Sequence, residues 1–138
     1  MLSPYKVFVV DDSEEDRFFM KKMLGRSPKL TVIGEACDGE EALDYLNSLP
    51  AQAEGDGPAK PDILILDLKM PRKNGYEVLA WLREQNIPNL IIVVTSGSCL
   101  PEDVNRSREL GAHSYFKKTS IRSEQDAIMH DLEALLER

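Results

Sequence analysis

The chain is poor in cysteine, histidine and aromatic residues. It contains 2 cysteines and 2 histidines, and aromatic residues occupy 7% of its positions. Cys37 and Cys99 form no C-x-x-C pair, which favours free thiols in a reducing compartment over a disulfide. His113 and His130 are isolated from each other and form no cluster with metal-ligand spacing. These scarcities argue against a disulfide-stapled protein and against a site built from histidine.

Positive charge and long apolar runs are also scarce. The 17 basic residues are outnumbered by 24 acidic ones, which gives a formal net charge of −7. That balance argues against a nucleic-acid partner and against adhesion to anionic membranes. No apolar run approaches the roughly 20 residues needed to span a bilayer, and residues 1–6 lack the layout of a signal peptide. We therefore expect a cytoplasmic protein without nucleic-acid or membrane contacts.

Apolar residues are nevertheless abundant enough for one core. They make up 42% of the 138 positions, which suffices for a sheet covered by helices on both faces. Residues 50–61 are rich in Pro, Gly and Ala and lack an apolar period. We expect a long exposed loop there rather than a domain boundary, because the strand that follows is needed to complete the same sheet. The expected organisation is one domain over residues 1–138 without an effector domain.

Three short apolar runs each end in side chains that chemistry uses. Unbroken, β-branched runs of this kind are typical of strands in a parallel sheet whose two faces are covered by helices. The carboxyl ends of such strands meet at one edge, where open α/β sheets place their sites. The runs and the polar residues that end them are 7–10 with Asp11 and Asp12, 63–66 with Asp67, and 91–94 with Thr95 and Ser96.

Strand-type and helix-type segments alternate along the whole chain. A capping hydroxyl at Ser13 followed by acidic residues predicts the start of the first helix, and Gly25 predicts its end. Five βα units predict a doubly wound α/β fold, a flavodoxin-like five-stranded parallel sheet with order 2-1-3-4-5. The other predicted strands are 30–36, 90–94 and 114–116, and the other predicted helices are 40–49, 76–82, 101–110 and 120–137.

Apolar spacing predicts the buried faces of the helices. Glu14, Glu15 and Asp16 are interpreted as helix starters, favoured by the positive end of the helix dipole, rather than as metal ligands. The predicted apolar residues of the first helix are Phe18, Phe19, Met23 and Leu24, and those of the last helix are Ile121, Ile128, Met129, Leu132, Leu135 and Leu136.

The polar side chains at the strand ends form a recognisable set. Its members are Asp11, Asp12, Asp67, Thr95 and a lysine after the fifth strand. This set resembles the receiver domain of two-component response regulators, and the resemblance covers essentially the whole chain. Residues 67–71, Asp-Leu-Lys-Met-Pro, together with Gly75 resemble the family's phosphorylation loop, and 111–118 resemble its fifth-strand region. The resemblance implies a switch that catalyses its own phosphorylation on Asp67 and is not a turnover enzyme.

Physical chemistry supports the roles that the resemblance implies. Crowded carboxylates raise one another's pKa, and a hard cation such as Mg²⁺ relieves the repulsion. Asp12 is assigned as a direct Mg²⁺ ligand, Asp11 as a ligand through water, and Asp67 as both ligand and covalent nucleophile. The resemblance adds the backbone carbonyl of Lys69 as a metal ligand. It also implies that Thr95 donates to a phosphoryl oxygen within an electrostatic cradle.

A switch is implied by the same resemblance. Thr95 would move inward when a phosphoryl group is added, and Tyr115 would rotate into the space beside it. The fourth helix, fifth strand and fifth helix would then present an altered surface.

The lysine of the site needs a choice between Lys117 and Lys118. Successive strand residues point to opposite faces, so only one of the two can reach the site. Counting forward from Thr95 favours Lys117, whereas the family's spacing from the aromatic that is Tyr115 here selects Lys118, which we assign. Most receivers have a cis proline after this lysine, and this chain has Thr119. Either a costly non-proline cis peptide or a rearranged loop is expected.

A narrower resemblance points to a subfamily. Residues 38–46, the long loop before the third strand, residues 71–75 and Thr119 are similar to single-domain regulators associated with bacterial phytochromes. This implies a sensor histidine kinase of phytochrome type, or a phosphotransfer protein, as the phosphoryl donor. The downstream protein partner is left open, and the apolar content of the last two helices permits a homodimer without requiring one.

Three functional hypotheses follow. The leading one is a stand-alone receiver that is phosphorylated on Asp67 with Mg²⁺ and signals through protein contacts. The second is an aspartate phosphatase of the haloacid-dehalogenase type, which typically needs a second Asp where this chain has Lys69. The third is a pseudo-receiver that binds partners without phosphorylation, which Thr119 keeps open.

Overall fold

The computed structural model describes residues 3–49, 59–85 and 87–137. Strands and helices alternate as predicted; in chain order they are β1 (Tyr5–Val10), α1 (Glu14–Leu24), β2 (Leu30–Ala36), α2 (Gly39–Asn47), β3 (Ile63–Asp67), α3 (Gly75–Gln85), β4 (Ile91–Ser96), α4 (Pro101–Glu109), β5 (Ser114–Lys117) and α5 (Arg122–Leu136). The strands form one parallel sheet in the order β2-β1-β3-β4-β5. The predicted α/β class and strand order are confirmed.

The central strand β3 shows how the core is divided between the two faces of the sheet. All its residues are buried, and alternate side chains point to opposite faces. Leu64 and Leu66 pack in the cluster that includes residues of α2 and α3, while Ile63 and Ile65 pack in the cluster that includes residues of α1 and α5. Helices therefore cover both faces, which leaves the carboxyl edge of the sheet as the accessible place for a site.

The buried side of α1 differs from the prediction. Phe18 and Phe19 are 56% and 51% exposed, and the buried residues of the helix are Met20, Met23 and Leu24. An amphipathic helix buries one stripe of its surface, and these three residues, at spacings of three and four, fall on the same side. The two phenylalanines lie outside that stripe.

The same correction applies to the start of the last helix. Ile121 is 55% exposed, because it is the N-cap residue that precedes α5. Met129 and Leu132 are buried as expected. Ile128, Leu135 and Leu136 pack partly against the core on the α1 side.

Residues 50–58, most of the predicted long loop, lie outside the described part of the chain. Among the helices that the structure describes, none combines the length and the apolar character needed to cross a membrane.

Candidate functional site

The register of the sheet brings the polar strand ends to one edge. Asp67, the last residue of β3, is the partner of Thr95 in β4. Val10 is the partner of Leu66, so Asp11 follows β1 at the level of Asp67. On the other side, Ser96 pairs with Lys117, the last residue of β5. The strands end together, as the apolar runs predicted.

Three carboxylates meet at this edge. Asp11, Asp12 and Asp67 each offer an oxygen atom, and these oxygens lie within 4.8 Å of one another. Asp11 and Asp67 are 1% and 3% exposed, whereas Asp12 is exposed. The cluster therefore has two buried members and one that faces solvent.

The ammonium group of Lys118 lies among these carboxylates. Its Nζ is 2.8 Å from Asp11 Oδ2, 2.9 Å from Asp16 Oδ2 and 3.3 Å from Asp67 Oδ2. The Asp11 contact is close enough for an ion pair but is not aligned as a hydrogen bond, so the buried Asp11 Oδ2 has no hydrogen-bond donor within the described part of the chain. Lys117 is exposed. Of the two candidates, Lys118 is the lysine that the structure brings to the carboxylates.

Asp16 is a member of this group that the sequence analysis missed. Its position in the first turn of α1 is explained equally well by the helix dipole, so the sequence pattern gave no signal for a contact with Lys118. The two residues are 102 positions apart in the chain. Only the fold brings them together.

Burial and charge act in opposite directions on the titration of the site. Burial raises the pKa of Asp67 from 3.8 to about 6, and the charge of Asp11 adds to the rise, while Lys118 opposes it. Burial lowers the pKa of Lys118, but its contacts with Asp11, Asp16 and Asp67 outweigh this effect and raise the pKa above its usual value. One partly buried ammonium thus compensates only part of the negative charge at this edge.

Asp11 is held by the loop between β1 and α1. Its Oδ1 accepts a hydrogen bond from the backbone N–H of Ser13 at 3.0 Å. Its carbonyl oxygen accepts one from Arg17 Nη1 at 2.8 Å, and Arg17 Nε pairs with Glu35 at 2.9 Å. Arg17 is 14% exposed, so this support is largely shielded from solvent. The carboxylate of Asp11 consequently has a fixed direction.

The loop after Asp67 is also held tightly. Asp67 Oδ1 accepts from the backbone N–H of Lys69 at 3.3 Å. A Cβ atom at Gly75 would lie 2.6 Å from the carbonyl oxygen of Asp67, and one at Gly39 would lie 2.0 Å from the carbonyl oxygen of Lys73. Both positions require glycine because the backbones approach so closely. The start of α2 therefore supports the loop that follows the buried Asp67.

Thr95 lies next to Asp67 in the sheet, and Tyr115 lies on the neighbouring strand β5, beside Val94. Thr95 is 1% exposed and its Oγ1 has no hydrogen-bond partner among the described residues. The hydroxyl of Tyr115 donates to the carbonyl oxygen of Ser98 at 2.9 Å, and the ring is half-buried. A buried hydroxyl without a partner is uncommon and suggests a ligand atom as its acceptor.

The Lys118–Thr119 peptide is trans, since the described residues contain no cis peptide bond. Of the two expected alternatives, a loop without a cis bond is therefore the one present. The backbone of Lys118 donates to Ser96 at 2.8 Å, and Thr119 Oγ1 accepts from the backbone N–H of Ile121 at 3.1 Å. The Thr119 hydroxyl thus forms a local turn that leads into α5.

The donor set fits a hard divalent cation. Mg²⁺ prefers oxygen ligands, and the site offers the carboxylates of Asp11, Asp12 and Asp67. One oxygen of Asp11, Oδ2, has no hydrogen-bond partner among the described residues and could take a ligand. The raised pKa of Asp67 also favours a cation here, because repulsion from the Asp11 carboxylate causes part of the rise and a bound cation would relieve that repulsion.

Comparison with known proteins defines the class. The sequence of residues 7–130 matches the family model for the response regulator receiver domain. This match agrees with the doubly wound sheet and the acidic site at its carboxyl edge. The chain belongs to this family, whose members are typically phosphorylated and bind Mg²⁺. The resemblance stated from the sequence is confirmed.

The curated relatives are longer proteins. The nitrate/nitrite response regulator NarL of Escherichia coli K12 is 35% identical over 83% of this chain and 48% of its own length. Protein-glutamate methylesterase/protein-glutamine glutaminase 3 of Geobacter sulfurreducens is 39% identical over 82% of this chain and 27% of its own length. The chain thus spans about half or less of these two relatives.

Solved structures support the same assignment. The phosphorylated cyanobacterial phytochrome response regulator RcpA is 30% identical, with a TM-score of 0.74 over 95% of this chain and 92% of that one. The Mn²⁺-bound response regulator Rcp1 is 27% identical, with a TM-score of 0.72 over 95% and 93% of the two chains. The NarL receiver domain of Mycobacterium tuberculosis is 27% identical, with a TM-score of 0.76 over 95% and 97%.

Proposed function

We propose that this chain is a stand-alone response regulator that is phosphorylated on Asp67 with Mg²⁺ bound beside it. The observation that carries the proposal is the Asp67 carboxylate itself. It is 3% exposed, it lies within 4.8 Å of two further carboxylates, and Lys118 Nζ is 3.3 Å from its Oδ2. A buried nucleophile between a cation site and an ammonium suits phosphoryl transfer, which depends mainly on positioning and electrostatics.

The residues have distinct roles in the proposed reaction. Asp11, Asp12, Asp67 and the carbonyl of Lys69 would hold Mg²⁺, which supplies positive charge to the phosphoryl oxygens. An Asp67 oxygen attacks the phosphorus of a phosphohistidine, the P–N bond breaks, and the imidazole leaves and is protonated by solvent. Lys118 stabilises the negative charge from the protein side.

Thr95 and Tyr115 are proposed as the switch. The Thr95 hydroxyl is buried beside Asp67 in the sheet register and has no hydrogen-bond partner among the described residues, so a phosphoryl oxygen would give it an acceptor. Tyr115 is tied to the β4–α4 loop through Ser98, so a change at Thr95 is transmitted to the neighbouring surface of β5. Signalling would then proceed through protein contacts of α4, β5 and α5 with a downstream partner.

The donor is proposed to be a sensor histidine kinase of phytochrome type, or a phosphotransfer protein, acting in the cytoplasm. The likeness to the phytochrome response regulator RcpA supports this proposal. Neither a nucleic-acid nor a membrane partner is proposed, in agreement with the net charge of −7. A homodimer through the last two helices stays compatible with this function.

The test is the intact mass of the chain after incubation with acetyl phosphate. With Mg²⁺ we expect a gain of one phosphoryl group, labile at alkaline pH, and no gain in excess EDTA. Asp67→Asn is the matched control and should show no gain.

Other outcomes distinguish the alternative functions. No gain in the unsubstituted chain would favour a pseudo-receiver, whereas sustained phosphate release from monoesters would favour a phosphatase. A stable gain in Asp67→Asn would place the modification elsewhere and contradict the assignment of Asp67.

A further inference from the structure

We infer that Asp16 is a positioning residue that keeps Lys118 in place when a divalent cation engages the carboxylates, and so strengthens cation binding. The inference rests on the proposed function, because it concerns the same cation site. It adds a residue of α1 to the set that controls the site.

The geometry makes Asp16 different from the other partners of Lys118. Lys118 Nζ lies 2.8–3.3 Å from three carboxylates, and its side chain is 22% exposed. The side chains of Asp11 and Asp67 are 2% and 4% exposed, whereas that of Asp16 is 43% exposed. Asp16 also lies outside the metal-ligand cluster of Asp11, Asp12 and Asp67. Of the three carboxylates that contact Lys118, Asp16 is therefore the one that would not coordinate the cation.

Local structure fixes the position of Asp16. Its backbone N–H donates to Ser13 Oγ at 3.1 Å, which closes the first turn of α1. The carboxylate then reaches across to Lys118, which directly follows β5. The backbone is held at both ends of the contact, by α1 at Asp16 and by the hydrogen bond from Lys118 N–H to Ser96 O, so the remaining entropy loss is that of the two side chains.

The expected effect of Asp16 on cation binding comes from competition between Lys118 and the cation for the carboxylate oxygens of Asp11 and Asp67. The ammonium of Lys118 donates hydrogen bonds to Asp16 and Asp67 and forms an ion pair with Asp11. A cation bound to Asp11 and Asp67 would take up the charge of two of these partners and would repel the ammonium. Asp16 then provides the charge that keeps Lys118 near the site. Without Asp16, the ammonium would depend on Asp11 and Asp67 alone, so cation binding would have to displace it from both carboxylates.

The experiment measures Mg²⁺ binding by titration calorimetry. Four chains are compared: the unsubstituted chain, Asp16→Asn, Lys118→Met and the double variant. Asp16→Asn should weaken Mg²⁺ binding roughly three- to ten-fold when Lys118 is present, and less than about two-fold in the Lys118→Met background. If Lys118→Met does not fold, Lys118→Gln replaces it in both the single and the double variant.

Glu15→Gln is the matched control. It removes the same charge one residue away in the same helical turn, and Glu15 forms no ion pair within the described residues. We expect Mg²⁺ binding of Glu15→Gln to change less than about two-fold, since an exposed charge is well screened by solvent.

The outcomes separate the inference from the function it rests on. Equal weakening by Asp16→Asn with and without Lys118, or equal weakening by Glu15→Gln, would overturn the role of Asp16 and leave the proposed function intact. Absence of Mg²⁺ binding by the unsubstituted chain would overturn the proposed function itself, and the inference with it.

Discussion

At the scale of single residues, the site is a set of carboxylates with too little positive charge around it. Asp67 is buried at the carboxyl end of β3, and burial is the main reason for its raised pKa of about 6. The ionised form therefore destabilises the fold when no cation is bound. Function and stability make opposite demands on this residue.

Replacing Asp67 by Asn should therefore stabilise the metal-free chain. Because the folded pKa is raised from 3.8 to about 6, folding is favoured by Asp67 protonation, and this advantage is lost as pH rises through 6. At pH 7.5 in EDTA we expect Asp67→Asn to raise the free energy of unfolding by about 1–3 kcal/mol. Urea unfolding at pH 7.5 and 5 should show the gain falling to about half at the lower pH.

Asp12→Asn is the control for that measurement, since Asp12 is exposed. Its unfolding free energy should change by less than about 0.5 kcal/mol. A gain for Asp67→Asn that did not depend on pH would contradict the electrostatic explanation.

Single residues also show how far the sequence could define the site. Asp11, Asp67 and Thr95 end apolar strands, so their meeting at one edge followed from the sheet topology alone. Lys118 required the family's spacing, because counting along the chain also allowed Lys117. Asp16 could not be predicted, since an acidic residue in a first helical turn already has a local explanation.

At the scale of elements, the α2 start and the β3–α3 loop act as one unit. Gly39 lies against the carbonyl of Lys73, and Arg72 pairs with Asp38 at 3.5 Å and with Glu40 at 3.1 Å. Arg72 and Lys73 have φ values of 49° and 69°, a region that costs about 1–3 kcal/mol for such residues. The neighbouring helix start thus supports a strained loop.

Gly39→Ala should disrupt this unit. Its new Cβ atom would lie 2.0 Å from a backbone oxygen that cannot rotate away, so the loop must shift. We expect a loss of about 1–3 kcal/mol in the free energy of unfolding and slower phosphorylation by acetyl phosphate, because Lys69 lies on the same loop.

Gly97→Ala is its matched control, because a Cβ atom there would meet no atom of the described residues within 4 Å. It should change the free energy of unfolding by less than about 0.5 kcal/mol. Equal losses for the two variants would show that the close approach at Gly39 is unimportant.

The elements themselves were predicted better than their buried faces. The existence and order of the ten strands and helices that the structure describes followed from apolar runs and helix caps. On α1, Met23 and Leu24 are buried as predicted, whereas Phe18 and Phe19 are exposed and Met20 takes the remaining buried position. Hydrophobicity alone does not say how a helix is rotated against its sheet.

At the scale of the whole molecule, the site joins strands from both halves of the sheet. Asp11 follows β1, Asp67 ends β3, Thr95 lies in β4 and Lys118 follows β5. These residues come together only in the folded chain, so a ligand that contacts several of them can bind only the folded state. Cation binding is therefore expected to stabilise the entire domain.

Mg²⁺ should accordingly raise the melting temperature of the chain. At a Mg²⁺ concentration 100 times the dissociation constant, the free energy of unfolding should rise by about 2.7 kcal/mol, and EDTA should reverse the effect. Differential scanning calorimetry of the unsubstituted chain and Asp11→Asn provides the comparison. A similar rise in Asp11→Asn would mean that Mg²⁺ acts outside the carboxylate cluster.

The contacts of Lys118 with Asp11 and Asp16 have a consequence for biosynthesis. Asp11 and Asp16 leave the ribosome early, while their counter-ion follows about a hundred residues later, since Asp16 and Lys118 are 102 positions apart. A nascent chain that lacks β5 would have to bury Asp11 and Asp67 without this ammonium. The last strand therefore completes both the hydrogen-bonded sheet and its charge balance, and we expect cooperative folding to await its synthesis.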